Sequence, residues 1–356
     1  MRFIVRNKRL ITILIIVVLF GLLIYLAIKT NKIQASKVEP DTYDGYIMGT
    51  VLKKTIYSDS SQTSEKANEA IDETLDKLEK RISVKMSQSV LRECNDNYVV
   101  DGLYLLPEDI LGYYNQEMEI YKETEGAFSP CIRPLADLWG IEDGDGKIPD
   151  EESIESALKL IDPFNIEVSE KGMTFHQKNM KIDMGAVGKG IACDQVMDEL
   201  KNSDVQGAVI SVGGSIAVYG VKAIGQDWYI GIQNPRAPHG EFFGAIQTKG
   251  NIIVSTSGDY EKYFEQDGKR YHHIFDPRTG YPVDNGLISV TIVSDSGFLS
   301  DALSTACFVL GLEDGMAYAQ KKGVDAIFVT EDKKVYITDG LKKNFHIKSK
   351  DYKVVK

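Results

Sequence analysis

The chain has 356 residues, of which 43% are hydrophobic and 26% charged, and a formal net charge of -11 at pH 7. The length fits one large domain or two fused ones, and the composition excludes a disordered chain. The acidic balance excludes a general nucleic-acid binder, which needs clustered Lys and Arg against phosphate.

The average hides an asymmetry. Residues 1–29 hold Arg2, Arg6, Lys8, Arg9 and Lys29 and no acid, a net of +5, whereas the remainder carries 36 bases against 52 acids. Leu10 to Ile28 is an apolar run of 19 residues, softened only by Thr12, Gly21 and Tyr25. As a helix it spans about 28 Å, close to the hydrocarbon thickness of a bilayer. The bases ahead of it predict that residues 1–9 stay in the cytoplasm and that the body lies outside. A cleaved signal peptide is the rival reading, but Ile33 and Ala35 before Ser36 make a poor cleavage site. The expectation is therefore an uncleaved anchor at 10–28, a linker at 29–43, a catalytic body at 44–345 and a tail at 346–356. The four cysteines, 94, 131, 193 and 307, form no CxxC pair and read as free, buried thiols.

Along the body, residues 44–57 alternate enough for a strand. Ala67, Ile71, Leu75, Leu78 and Ile82 fall on one helical stripe. A second helix starts at Pro107, with Glu108 and Asp109 in its first turn, and ends near 125–126. A third runs from about 150 to 161. Short strands follow near 166–168, 173–175 and 181–183, then a helix after Gly188. Further strands are expected near 208–212, 216–219, 228–232, 252–256, 271–275 and 288–293. Helices at 298–310 and 314–322 precede strands near 325–329 and 335–337. No regular βαβ repeat appears, so the class is α+β or mixed α/β.

Several glycine-rich or polar clusters break this pattern. Asp183-Met-Gly-Ala-Val-Gly-Lys-Gly190 lies between a strand and a helix, where backbone N–H groups and Lys189 can meet a phosphate. It matches neither a Walker loop nor a dinucleotide fingerprint, and a capped turn explains the same glycines. Asp301 and Thr305, four apart on a predicted helix, offer two hard oxygens on one face, suited to Mg²⁺; a plain helix cap is the competing reading. His272 and His273 are expected on a strand and so on opposite faces, and one of them can be a general base near neutral pH.

Taken together and in order, these clusters resemble the FAD:protein FMN transferases, the ApbE family, over roughly residues 44–340. The matching segments are Gly126-Ala-Phe-Ser-Pro130 with Pro134-Leu and Trp139-Gly, Asp183-x-Gly-Ala-x-Gly-Lys-Gly190 with Asp194, Gly213-Gly, Ser257-Gly-Asp-Tyr260, His273-Ile-x-Asp-Pro-Arg-Thr-Gly280 and Asp301-Ala-x-x-Thr305. The resemblance implies an ApbE-like fold of largely antiparallel sheets flanked by helices. It also implies Mg²⁺-dependent transfer of the FMN half of FAD to a Thr or Ser hydroxyl of a flavoprotein, with release of AMP. Carried over by position, Met48, Ala127, Phe128, Ser129, Asp183, Lys189 and Ile274 would contact FAD. The Ala186 carbonyl with Asp301 and Thr305 would hold the metal, and His273 would be the base.

Two positions depart from the family pattern: Lys85 stands near a position that often carries an aromatic able to stack on flavin, and Cys131 replaces a common Thr. The acceptor signature of the family, Asp-Gly-x-(Ser/Thr)-(Gly/Ser/Ala)-Ala-Thr, is absent from the chain, which places the acceptor on another protein. Two alternatives share the sequence: an FAD pyrophosphatase using the same metal site, and a membrane-anchored flavin-binding electron carrier that needs neither metal nor base.

Overall fold

The computed structural model describes residues 18–25, 39–222 and 226–355. Residues 18–25 form a helix, α1, with exposed apolar side chains; the rest of the 10–28 run lies outside the described residues. Among those described, no helix is long and apolar enough to cross a membrane.

The body begins with a hairpin, β1 (Asp41–Ile47) and β2 (Thr50–Tyr57), where one strand was expected. The chain reverses at Met48-Gly49, both at positive φ (50° and 71°), the geometry of a tight two-residue turn. Helix α2 (Ser61–Ile82) then buries the stripe read from sequence, with Ser60 accepting from the Thr63 N–H as N-cap. After α3 (Val90–Asn97) comes a small sheet of β3 (Leu103–Leu105), β4 (Ile166–Ser169) and β5 (Gly172–Phe175). Between its strands run α4 (Glu108–Glu123), α5 (Arg133–Trp139) and α6 (Glu151–Leu158).

The strand expected at 181–183 does not form. Asn95 explains why: its side-chain amide donates to the Ile182 carbonyl and accepts from the Ile182 N–H, so this backbone needs no strand partner. Helix α7 (Gly188–Lys201) follows. The second half supplies β6 (Gly207–Val212), β7 (Ser215–Gly220), β8 (Trp228–Gln233), β9 (Phe242–Thr248) and β10 (Ile252–Gly258). Next come β11 (Tyr263–Gln266), β12 (Lys269–His272), β13 (Phe275–Asp276), β14 (Tyr281–Pro282) and β15 (Leu287–Ser294). The expected strand 271–275 is therefore broken at His273 and Ile274. Helices α8 (Gly297–Leu310) and α9 (Leu312–Lys321) precede β16 (Asp325–Thr330), β17 (Lys334–Ile337), β18 (Phe345–Ile347) and β19 (Lys353–Val354).

One sheet organises the molecule, in the order β1-β2-β6-β7-β10-β15-β16-β17-β19, antiparallel except for its last pair. Its strands are apolar on both faces. Ile253, Ala326 and Phe328 join the core under the helices, while their neighbours Val254, Ile327 and Val329 join a second core with Trp228, Ile230 and Phe243. The second core is roofed by the sheet β18-β9-β8, so the large sheet lies between helices and a smaller sheet. The arrangement is a mixed α/β fold with mainly antiparallel sheets. Residues 346–355, set apart by sequence as a tail, complete β18 and supply β19, with Tyr352 buried. All four cysteines are free and buried.

One buried group is at odds with its surroundings. Glu117 falls on the inward stripe of α4 and is 1% exposed. Neither of its carboxyl oxygens has a hydrogen-bond partner. Burial, and then the neighbouring Asp183 charge, hold its pKa well above the model-compound value of 4.5. The unfolded chain releases this proton at lower pH than the folded one, so stability falls as pH rises from the ordinary carboxylate range toward the raised value. Glu117→Met removes that loss. It is expected to raise stability at pH 7 by about 1–3 kcal/mol, the usual cost of a buried unsatisfied polar group. Urea denaturation should show the gain shrinking toward pH 4.

Candidate active site

The site is assembled where α7 and α8 begin. Their first turns cross at Gly190 and Gly297. A Cβ on Gly190 would stand 2.0 Å from the Gly297 carbonyl oxygen and 2.7 Å from Asp301 Cβ, and one on Gly297 would stand 2.1 Å from the Gly190 oxygen. Only glycines permit this approach. Asp194, on α7, locks the crossing by accepting from the N–H groups of Gly297 (2.6 Å) and Phe298 (2.8 Å) at the start of α8. The sequence match at Asp194 thus marks a structural cap.

The crossing sets the Asp183–Gly190 loop against Asp301. This carboxylate is 3% exposed. Its Oδ2 accepts from the Gly190 N–H at 2.9 Å and its Oδ1 from Ser215 Oγ at 3.3 Å, with Lys189 Nζ 3.8 Å from Oδ1. Burial raises its pKa, opposed chiefly by Lys189. The Gly190 N–H is one of the orphan donors in the first turn of α7, and Asp301 satisfies it. Thr305, one turn along α8, bonds through its hydroxyl to Ser257 Oγ at 3.1 Å, and Ser257 also meets Ser304.

The β1–β2 turn reaches this cluster through Thr50, whose hydroxyl lies where a side chain on Gly213 would go (2.6 Å), next to Ser215. Met48 holds its left-handed backbone there with its N–H on Glu79 Oε1 (2.9 Å).

Asp183 faces inward beside this loop. Its Oδ1 accepts from the Gly185 N–H at 2.7 Å, and Arg133 Nη1 stands 3.6 Å from Oδ2. Burial pushes its pKa up to about 6 against the pull of Arg133. The Asp183 N–H donates to Pro130 O, which ties the Gly126–Pro130 segment to it. Within that segment Ala127 and Phe128 are buried, and Ser129 spends its hydroxyl on the Ile161 carbonyl and the Cys131 N–H. Trp139 Nε1 donates to Gly280 O at 2.9 Å and so anchors the far end of the 273–280 loop.

The two adjacent histidines separate cleanly. His272 is buried with both ring nitrogens engaged: Nε2 donates to Val283 O (2.9 Å) and Nδ1 accepts from the Ile274 N–H (3.2 Å). It is a structural residue and it holds Ile274, also buried. His273 is partly exposed, and its Nδ1 lies 3.3 Å from the Lys262 carbonyl. A carbonyl only accepts, so Nδ1 carries the proton and Nε2 is left as the basic nitrogen. Desolvation pushes the His273 pKa down to about 4, with Glu142 opposing and Lys262, His272 and Lys189 reinforcing. At neutral pH the ring is a neutral base. Lys189, which stands beside Asp301, is among the cations that lower the His273 pKa.

Sequence reasoning missed Arg133, Glu142 and Lys262, and gave no individual role to Ser215 or to Ser257, which lies in a matching segment. The signal for Lys262 was present. Asp267-Gly268 is a hairpin turn, and counting back from it sets residue 263 opposite 272 and hence 262 beside 273, as observed.

The arrangement has known counterparts. The family model described as "ApbE family" matches residues 48–328. The chain belongs to the ApbE family. An FAD:protein FMN transferase of Klebsiella pneumoniae is 37% identical over 234 residues, covering 65% of this chain and 72% of the relative. One from Treponema pallidum is 30% identical over 320 residues, covering 83% and 86%. Among solved structures, the apo form of the flavinyl transferase ApbE from Pseudomonas stutzeri superposes with a TM-score of 0.75 at 28% identity, covering 87% of this chain and 98% of that one.

The crossing sets the geometry of the Asp301 cluster in this ApbE site. Gly190→Ala is expected to lower folding stability by about 1–3 kcal/mol or more, as overpacking does. Denaturant midpoints check this, with Gly250→Ala, whose added methyl meets nothing within 4 Å, as the silent control.

Proposed function

We propose that this chain transfers the FMN half of FAD to a Thr or Ser hydroxyl of an acceptor protein, forming a phosphoester and releasing AMP. The observation that carries the reading is the cationic, phosphate-compatible loop at the N-terminus of α7, with Lys189 beside Asp301; the tautomer-fixed His273 supplies the base. In the step, the acceptor hydroxyl oxygen attacks the phosphorus on the flavin side of the pyrophosphate. His273 Nε2 takes the hydroxyl proton, the P–O bond to the adenylate phosphate breaks, and AMP departs with that oxygen. Lys189 and the N–H groups at the start of α7 offset charge on the pyrophosphate.

Among the described residues no group of three or more His, Cys, Asp or Glu could hold a metal ion. The donor set of Asp301 carboxylate, Thr305 hydroxyl and Ala186 carbonyl is instead of the sparse, all-oxygen kind that suits Mg²⁺ completed by phosphates and water. Bound there, Mg²⁺ would supply Lewis-acid stabilisation of charge on the phosphoryl oxygens. Met48, Ala127, Phe128, Ser129, Asp183, Lys189 and Ile274 remain the assigned FAD contacts. For Ser129 the contact falls to the backbone, since its hydroxyl is engaged. Lys85 takes no stacking role, because it pairs with Asp143 at 2.9 Å.

Location belongs to the same reading. The basic residues 1–9, the apolar run 10–28 and the acidic body support an uncleaved single-pass anchor with the catalytic domain, 44–345, outside the cytoplasm. The acceptor is then a flavoprotein at or near the outer membrane face, bearing the signature absent from this chain.

The test incubates the full-length protein with FAD, Mg²⁺ and a peptide bearing that signature. Intact-mass spectrometry should show the peptide gaining one FMN less water. His273→Ala and Asp301→Ala should each remove the gain. AMP and FMN appearing with unmodified peptide would replace transfer by hydrolysis. Given a His273 pKa of about 4, its limb of the kcat/KM profile should lie near that value, below the limb that Asp183 sets at about 6. A limb near the ordinary histidine value of 6.5 that persists in Asp183→Asn would contradict the neutral-base assignment.

A further inference from the structure

Glu142 lies on a single 3₁₀ turn, Ile141–Asp143, that follows the left-handed Gly140 closing α5. Three cations from three separate segments converge on its carboxylate. Arg133 Nη1 stands 3.3 Å from Oε2, Lys85 Nζ 3.6 Å from Oε2, and Lys262 Nζ 3.4 Å from Oε1. Lys85 also pairs with Asp143, and Arg133 with Asp137 at 2.6 Å, so both are braced from a second side.

Lys262 belongs to this cluster by its side chain and to the base by its main chain. Its carbonyl accepts from the His273 N–H at 3.1 Å and stands 3.3 Å from Nδ1. We propose that Glu142 is a positioning residue for the transfer reaction: by clamping the Lys262 side chain it fixes the Lys262 carbonyl, which in turn orients the His273 ring with Nε2 toward the acceptor hydroxyl. The proposal rests on the reading of His273 as the base. It also gives Lys85 a place, as the cation that braces the clamp from the α2–α3 connection.

The clamp is electrostatic as well as steric. Burial pushes the Glu142 pKa up, but Lys262, His273, Lys85 and Arg133 together hold it at about 2, so Glu142 is anionic at neutral pH. The charged and titratable groups that act on His273 are Glu142, which raises its pKa, and Lys262, His272 and Lys189, which lower it. The two ends of the clamp therefore pull the base in opposite directions.

Opposite signs make the test. In full-length enzyme assayed with FAD, Mg²⁺ and the signature peptide, Glu142→Gln should cut kcat about tenfold or more through misorientation. KM for FAD should stay within twofold, and the acid limb should move to lower pH. Lys262→Met should also cut kcat but move the limb to higher pH, toward 6.5. Glu142→Asp, which keeps the charge, should return the limb toward its wild-type position; with Lys262→Met it carries the test if Glu142→Gln does not fold. In ¹⁵N-histidine NMR spectra, wild-type His273 should show protonated Nδ1, and Glu142→Gln should show a mixture of tautomers. Unchanged kcat and limb in Glu142→Gln, or limbs moving the same way in both variants, would overturn the clamp. His273→Ala transferring at the wild-type rate would instead sink the base assignment beneath it.

Discussion

The N-terminal turns of α7 and α8 touch backbone to backbone at Gly190 and Gly297, with no room for a methyl group on either. Two helices of 14 residues thus point their positive ends into one small volume. Asp194 and Asp301 sit there in distinct roles. Asp194 satisfies the orphan N–H groups of α8, and Asp301 takes the Gly190 N–H of α7 while leaving a carboxylate face beside Lys189. The large sheet delivers the remaining parts, since Ser215 on β7 and Ser257 on β10 meet α8 directly. Loss of the helix crossing would scatter all of them at once.

A site built to hold a pyrophosphate is rich in cations, and cations discourage a histidine from taking a proton. Desolvation is the main influence on His273 in that sense, and Lys262 and Lys189 reinforce it. The resulting neutral imidazole is available as a base at ordinary pH but is intrinsically weak. A phosphoryl transfer tolerates a weak base better than a carbonyl addition does, because most of the barrier is lowered by positioning and charge offset. Electrostatics and chemistry are consistent here: the positive field that serves the leaving group also favours the unprotonated base.

Much of this was readable in the chain. The inward stripe of α2, the helices α7 to α9 and the strands with apolar residues on both faces followed from periodicity. The order of the glycine-rich motifs carried the site. Elsewhere, local signals were overridden by distant partners. Ile182 looks like a strand residue but gives its backbone to the Asn95 side chain. The 44–57 strand folds into a hairpin because Met48 accepts a left-handed backbone, which a propensity argument disfavours. Glu142 offered no local pattern at all, since its three cations come from positions 85, 133 and 262. Glu117 was legible in part: it shares the helical spacing of Tyr114 and Ile120, which marks an inward position, though its lack of a partner is a property of packing alone.

The four cysteines bear on where such a fold can be made. Each is buried and unpaired, and burial lifts the thiols of Cys94 and Cys307 to a pKa of about 12. Thiolate is the reactive form, so these side chains are poor substrates for oxidants and for disulfide exchange. The tertiary structure draws nothing from covalent cross-links and presents no accessible sulfur to acquire them. Once folded, it therefore keeps its thiols in the same state in a reducing or an oxidising compartment.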